Sequence, residues 1–135
     1  MSAFSDYLED KLLRHTLRGE AYPPPAALYI GLFTSATGDM DGVGNEVVGN
    51  GYLRIRATFA EPVADVDGST YCANDTDLRS PQPSTAPWGS VSHFALFDAA
   101  VGGNRLYHGA LLAPRLIEAN DLFFVASGDL VVKLN

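Results

Sequence analysis

The sequence predicts a mainly β fold, an antiparallel β-sandwich or jelly-roll-like barrel carrying one N-terminal α-helix. Three observations lead there. Short apolar runs recur at close spacing from about residue 27 to residue 134, punctuated by glycine, asparagine and aspartate turns. The 13 glycines and 8 prolines argue against a helical bundle. Only residues 2–18 space their apolar side chains helically. A distorted single sheet covered by that helix fits the same pattern.

Taken in order, Phe4, Tyr7, Leu8, Leu12, Leu13 and Leu17 recur near helical spacing, with Ser2 as the expected N-cap, Asp6 in the first turn and Gly19 as the stop. The expectation is a helix laying one apolar stripe on a sheet; a partner-binding helix is the alternative. Pro23-Pro24-Pro25 then forces an extended connector. Ala27–Thr34 is apolar on both faces and reads as a central strand. Ser35–Gly51, glycine-rich and acidic, reads as a long exposed loop.

Tyr52–Phe59 alternates, with Leu53, Ile55, Ala57 and Phe59 on one side and Tyr52, Arg54, Arg56 and Thr58 on the other. That predicts a half-exposed strand with Arg54 and Arg56 on its outer face. Val63–Ala73 holds one or two short strands around Asp67-Gly68, and the polar Asn74–Pro87 segment is left outside the sheets. Val91–Phe97 and Arg105–Leu112 form a hairpin, followed by short strands at Leu116–Ile117, Leu122–Ala126 and Leu130–Leu134. The whole chain, 1–135, reads as a single domain: a helix over about 2–18 and a β-rich body over about 27–134. A compact chain of this length has a radius of gyration of roughly 14 Å.

Charge and cysteine content exclude several classes. The net charge of −7, from 16 acidic and 9 basic residues, disfavours direct nucleic-acid binding, which needs a basic face. It also suits a soluble protein that meets basic protein surfaces. Cys72 stands alone, so no intrachain disulfide forms and a reducing cytoplasm is the expected site of synthesis. The N-terminus lacks a basic start and a continuous apolar run, and nothing approaches the roughly 20 apolar residues of a membrane span.

No motif carries chemistry. Asp39, Asp41, Asn45 and Glu46 offer oxygen ligands but lack the spacing of a calcium loop. Gly42-Val43-Gly44 lacks the third glycine and the setting of a dinucleotide fingerprint. There is no Gly-x-Ser-x-Gly elbow, and Cys72 reads as an inert thiol. If His93 faces Gly109 and His108 faces Phe94, the two imidazoles lie on opposite faces; a shift that sets them directly across would allow a metal pair. Asn74-Asp75-Thr76 matches a glycosylation acceptor and reads as a polar turn. The expectation is no enzyme, no cofactor and no metal.

Several motifs bear on identity together: Trp88-Gly89, His93-Phe94-Ala95-Leu96-Phe97-Asp98, Gly103-Asn104, Gly109-Ala110-Leu111 and Gly128-Asp129-Leu130, with Ser5-Asp6-Tyr7-Leu8-Glu9 and Gly51-Tyr52 upstream. The chain resembles small tailed-bacteriophage virion structural proteins, often labelled tail-fibre proteins and including capsid decoration or cement subunits. The resemblance covers both ends. Asn120 stands where it would place a glycine in the late turn.

The resemblance implies a virion protein made in the host bacterial cytoplasm, with the major capsid protein or tail proteins as partners, no membrane, and a homo-oligomeric state. A fibre usually needs a long shaft, and none is visible in the sequence. The first expectation is therefore capsid decoration on the outer head surface; a tail or baseplate component supporting fibre attachment or host-surface binding is the alternative. The contact candidates are Asp39, Asp41, Asn45 and Glu46 in the long loop, Arg54 and Arg56 on the strand after it, Gln82 in the polar segment, and Trp88. Trp88 equally suits a core plug.

Overall fold

The computed structural model describes residues 2–135, a mainly β structure of antiparallel sheets with one N-terminal helix. The first residues depart from expectation: Ser2–Phe4 is an edge strand, β1, and the helix α1 spans Asp6–Arg18. The N-cap is accordingly Ser5, whose hydroxyl accepts from the Leu8 N–H at 3.1 Å and donates to the Arg105 carbonyl. The predicted stop holds, since Gly19 has φ 69° and the Glu20 N–H reaches back to the Arg14 carbonyl.

The apolar stripe of α1 does not cover a sheet as expected. Within the helix only Leu8 is buried, whereas Leu13 and Leu17 are 58% and 78% exposed. Assigning Ser2–Phe4 to the sheet fixes where the helix starts, so its first turn rests on the body and its last turns stand in solvent.

The largest sheet has the order β1-β8-β7-β2-β3, with β2 Leu28–Phe33, β3 Ile55–Ala57, β7 Gly89–Phe97 and β8 Arg105–Ile117. The interior place of β2 is the one its two apolar faces predicted. The other sheets are β10-β5-β4, from β4 Val63–Ala64, β5 Thr70–Ala73 and β10 Val131–Leu134, and a pair of β6 Leu78–Arg79 with β9 Phe124–Val125. Strand β6 lies inside the polar segment left outside the sheets, and Leu116–Ile117 ends β8 instead of forming its own strand.

Ile30, Leu32, Phe94 and Leu96 on one face of the large sheet share a core with Leu78, Phe123, Val125, Leu130 and Val132 from the smaller sheets and the residues beside them. Burial of each such apolar side chain stabilises the fold by about 1.5–3 kcal/mol. The opposite face carries a second, smaller cluster of Phe33, Ala95 and Phe97. Covering that second face falls to the long loop, and this arrangement builds the site.

Asn74 shows how the layers are tied. Its side chain is buried, donates to the Thr76 and Ala126 carbonyls and accepts from the Leu130 N–H at 2.8 Å. The apparent glycosylation acceptor is thus an internal cross-link. Asn120 takes φ 67°, the left-handed conformation that asparagine tolerates better than most residues. Among the described residues no helix is long and apolar enough to cross a membrane.

Candidate functional site

The loop after β2 starts and ends as a continuation of the sheet. Thr34 N–H donates to the Asn45 carbonyl and Val47 N–H to the Leu32 carbonyl, while Phe33 and Glu46 form an isolated bridge. This register delivers Glu46 onto the face that holds Phe33 and Phe97. There Arg54 grips it with two parallel bonds, Nε to Oε2 at 2.8 Å and Nη2 to Oε1 at 2.9 Å. Tyr52 adds a third, donating its hydroxyl to Oε2 at 2.6 Å while accepting from the Leu32 N–H.

Arg54 also donates Nη1 to the carbonyls of Ala99 and Gly102 in the β7–β8 turn. One side chain therefore fastens loop, strand and turn together. Gly31 makes room for it, because a Cβ there would lie 2.7 Å from the Phe97 ring and 2.9 Å from Glu46 Oε2. The turn itself is drawn in by Asp98, which accepts from the Asn104 N–H and side-chain amide.

Arg105 is the second clamp. It is 2% exposed, stacks over Phe33 at 5.0 Å, and donates Nη1 to the carbonyls of Gly38, Met40 and Val43. His108 braces the same loop between Thr37 Oγ1 at 3.0 Å and Asp39 Oδ1 at 2.7 Å. This hydroxyl–imidazole–carboxylate line has the members of a hydrolytic triad, and here it ties the loop residues Thr37 and Asp39 to β8 through His108.

Electrostatics follow from the packing. Burial alone would raise the Glu46 carboxyl, but hydrogen bonds from Arg54 and Tyr52 outweigh it and hold the group below its ordinary value. Burial and the neighbouring Glu46 push the Tyr52 phenol far up. Burial lowers Arg54, yet its bonds to Glu46 raise it on balance; Arg105, with no such carboxylate bond, is lowered by burial.

The contact candidates separate into groups. Asp41, Glu46 and Arg54 meet, with Arg105, around a cleft of about 240 Å³, where Asp41 is the exposed member. Asp39 is engaged by His108, and Asn45 is exposed at the loop's return. Arg56 projects into solvent from β3, whereas its neighbour Arg54 is folded inward. Gln82 is exposed and donates to the Gly51 carbonyl; Trp88 is buried against Tyr52 and donates Nε1 to the Asn50 carbonyl. These two sit at the far end of the long loop, away from the cleft.

The histidine register differs from both alternatives. His93 pairs with Ala110 and His108 with Ala95, which makes them diagonal neighbours on one face. His93 Nδ1 bonds Ser92 Oγ at 2.8 Å, so each ring has its own partner. Among the described residues no three His, Cys, Asp or Glu side chains group as metal ligands.

Sequence reasoning missed an apolar region. Leu112, Leu116, Leu122, Phe124 and Val131 are all exposed, and a cleft of about 470 Å³ runs between β8 and the β9–β10 turn, floored by Phe94, Val125 and Leu130. The available signal was the run Leu111-Leu112-Ala113-Pro114, since a proline inside a strand marks an edge or a bulge. A second apolar cleft, of about 340 Å³, opens between Leu28, Phe59, Tyr71, Cys72, Tyr107 and Leu134.

No curated protein matches the chain. Residues 3–133 match the family described as Podophage GP4 fiber I protein gp80. That match spans the helix, all three sheets and both arginine clamps, in accord with the resemblance carried by the glycine turns and apolar strands. The chain therefore belongs to the Podophage GP4 fiber I protein gp80 family and is a phage virion structural protein.

Proposed function

We propose that the protein is a fibre-associated subunit of a phage tail, acting through surface contacts and not through chemistry. The observation that carries this reading is the family match over nearly the whole chain, whose description names a fibre protein. The structure is consistent with a contact role: Arg54 and Arg105 hold the long loop rigidly on the sheet, so its exposed residues Asp41 and Asn45 are presented without an ordering cost at binding. The partners in this reading are other tail proteins or a host-surface molecule.

Capsid decoration is the second reading, favoured by a compact body in which the longest helix among the described residues is 13 residues. In that case the same surfaces bridge neighbouring major-capsid subunits, and repetition over the shell supplies avidity. Antibodies raised against the folded body and applied to intact virions with a gold label test the proposal. Label confined to the tail and its fibres is the expected result; label spread over the head would reject the fibre reading in favour of decoration.

A further inference from the structure

The two arginine clamps are built alike, and one of them lacks a part. Arg54 lies over Phe97, directs Nη1 to the carbonyls of Ala99 and Gly102, and turns its Nε–Nη2 edge onto the Glu46 carboxylate. Arg105 lies over Phe33 and directs Nη1 to the carbonyls of Gly38, Met40 and Val43. Its Nε–Nη2 edge holds nothing. Nε is buried without a hydrogen-bond partner, and Nη2 donates to no group among the described residues.

Leaving a buried donor unpaired is costly, and a buried guanidinium without a counter-charge more so. Among the described residues no carboxylate forms an ion pair with Arg105. Glu46 is already held by Arg54 and Tyr52, and Asp41 stands exposed at the same cleft of about 240 Å³. Glycines keep the approach clear: Gly42 and Gly102 line the cleft, and a Cβ on either would find no heavy atom within 4 Å.

We propose that this cleft is a carboxylate-binding site, in which the Nε–Nη2 edge of Arg105 takes a ligand's carboxylate with two parallel bonds, as Arg54 takes Glu46. The cleft is smaller than the roughly 300–1,000 Å³ of pockets for drug-sized ligands. That restricts the ligand to a small acid or a single sugar-acid unit. Asp41 opposes the incoming charge and so limits the affinity. The site does not rest on the fibre reading and holds for either placement of the subunit.

Titration of the full chain with sodium acetate, sodium glucuronate and glucose at fixed ionic strength tests it, read by NMR at the Arg105 Nε–H signal and the Gly42 and Gly102 amides. Both acids should move these signals and glucose should not. Tighter binding of glucuronate than of acetate identifies a sugar acid as the ligand, and affinity for acetate as high or higher identifies a small free acid; both support the site. Arg105→Gln should abolish the glycine shifts, with circular dichroism as the folding control because this side chain also clamps the loop. Asp41→Asn, at an exposed side chain outside the clamps, should tighten glucuronate by about fivefold, the scale of removing one unit charge at roughly 4 Å in water. Signals that stay still with both acids, an equal response to glucose, glycine shifts that survive in a folded Arg105→Gln chain, or glucuronate binding that is unchanged or weaker in Asp41→Asn would each overturn the proposal.

Discussion

The guanidinium carbon of Arg54 lies 3.6 Å from the centre of the Phe97 ring. The planar group thus does three things at once: it stacks, it forks onto Glu46, and it ties down the β7–β8 turn. An ammonium offers neither the plane nor the fork. Arg54→Lys is therefore expected to lose most of the stability lost by Arg54→Ala, about 3 kcal/mol, because both leave Glu46 half-buried without its partner. Urea unfolding of the three chains checks this, and full rescue by lysine would contradict it.

The same pair sets a pH dependence. The folded chain holds the Glu46 carboxyl below its ordinary value of 4.5, so the unfolded state binds the proton more readily. The network's contribution is then fully present above that ordinary value and is lost as pH falls through the lower folded one. As pH falls below the ordinary value and through the lower folded one, the native chain should lose more stability than Glu46→Gln does. Asp65 and Asp67, held low by Lys133, act in the same direction in both chains and cancel in the difference. Parallel acid-unfolding curves would show that Glu46 is not the titrating group.

Helix α1 should divide sharply in its sensitivity to substitution. Ser5→Ala removes the cap and should cost about 1 kcal/mol, and Leu8→Ala about 3 kcal/mol. Leu13→Ser and Leu17→Ser, at side chains already in water, should stay within about 0.5 kcal/mol. Thermal unfolding separates the two classes, and a large loss at Leu17 would mean that the last turns pack against the body.

Asn74 is expected to behave as a core residue despite its polarity. Asn74→Ala leaves the Leu130 N–H and two carbonyls without their partner, at a cost of about 1–3 kcal/mol for the buried donor. Amide hydrogen exchange should register it first at Leu130. Unchanged protection there would contradict the cross-link.

What the sequence made legible was local. The glycine stop at Gly19, the doubly apolar β2 and the hairpin around Gly102-Gly103 each rest on chemistry within a few residues. What it hid depends on partners far along the chain. Ser2–Phe4 has helical spacing and becomes a strand only because the edge of β8 is there to pair with it. Arg54 alternates as an outward residue, yet Gly31 and Phe97 open a place for it to fold back. The bulge in β8 has no local definition at all, because Leu111, Leu112, Ala113 and Pro114 are surplus only when set against the single Ser92 of β7 between the pairs Val91↔Arg115 and His93↔Ala110. Alternation assigns a side to each Cβ; it does not say where a long side chain ends.

The most direct test of a fibre-associated structural role is a cryo-electron microscopy reconstruction of the intact virion at a resolution that separates strands. The account predicts that the five-stranded sheet, with α1 projecting from it, fits density in the tail fibre apparatus and touches its neighbours through the exposed loop and β8 surfaces. Density for the same body on the head lattice alone, or its absence from the mature particle, would contradict it.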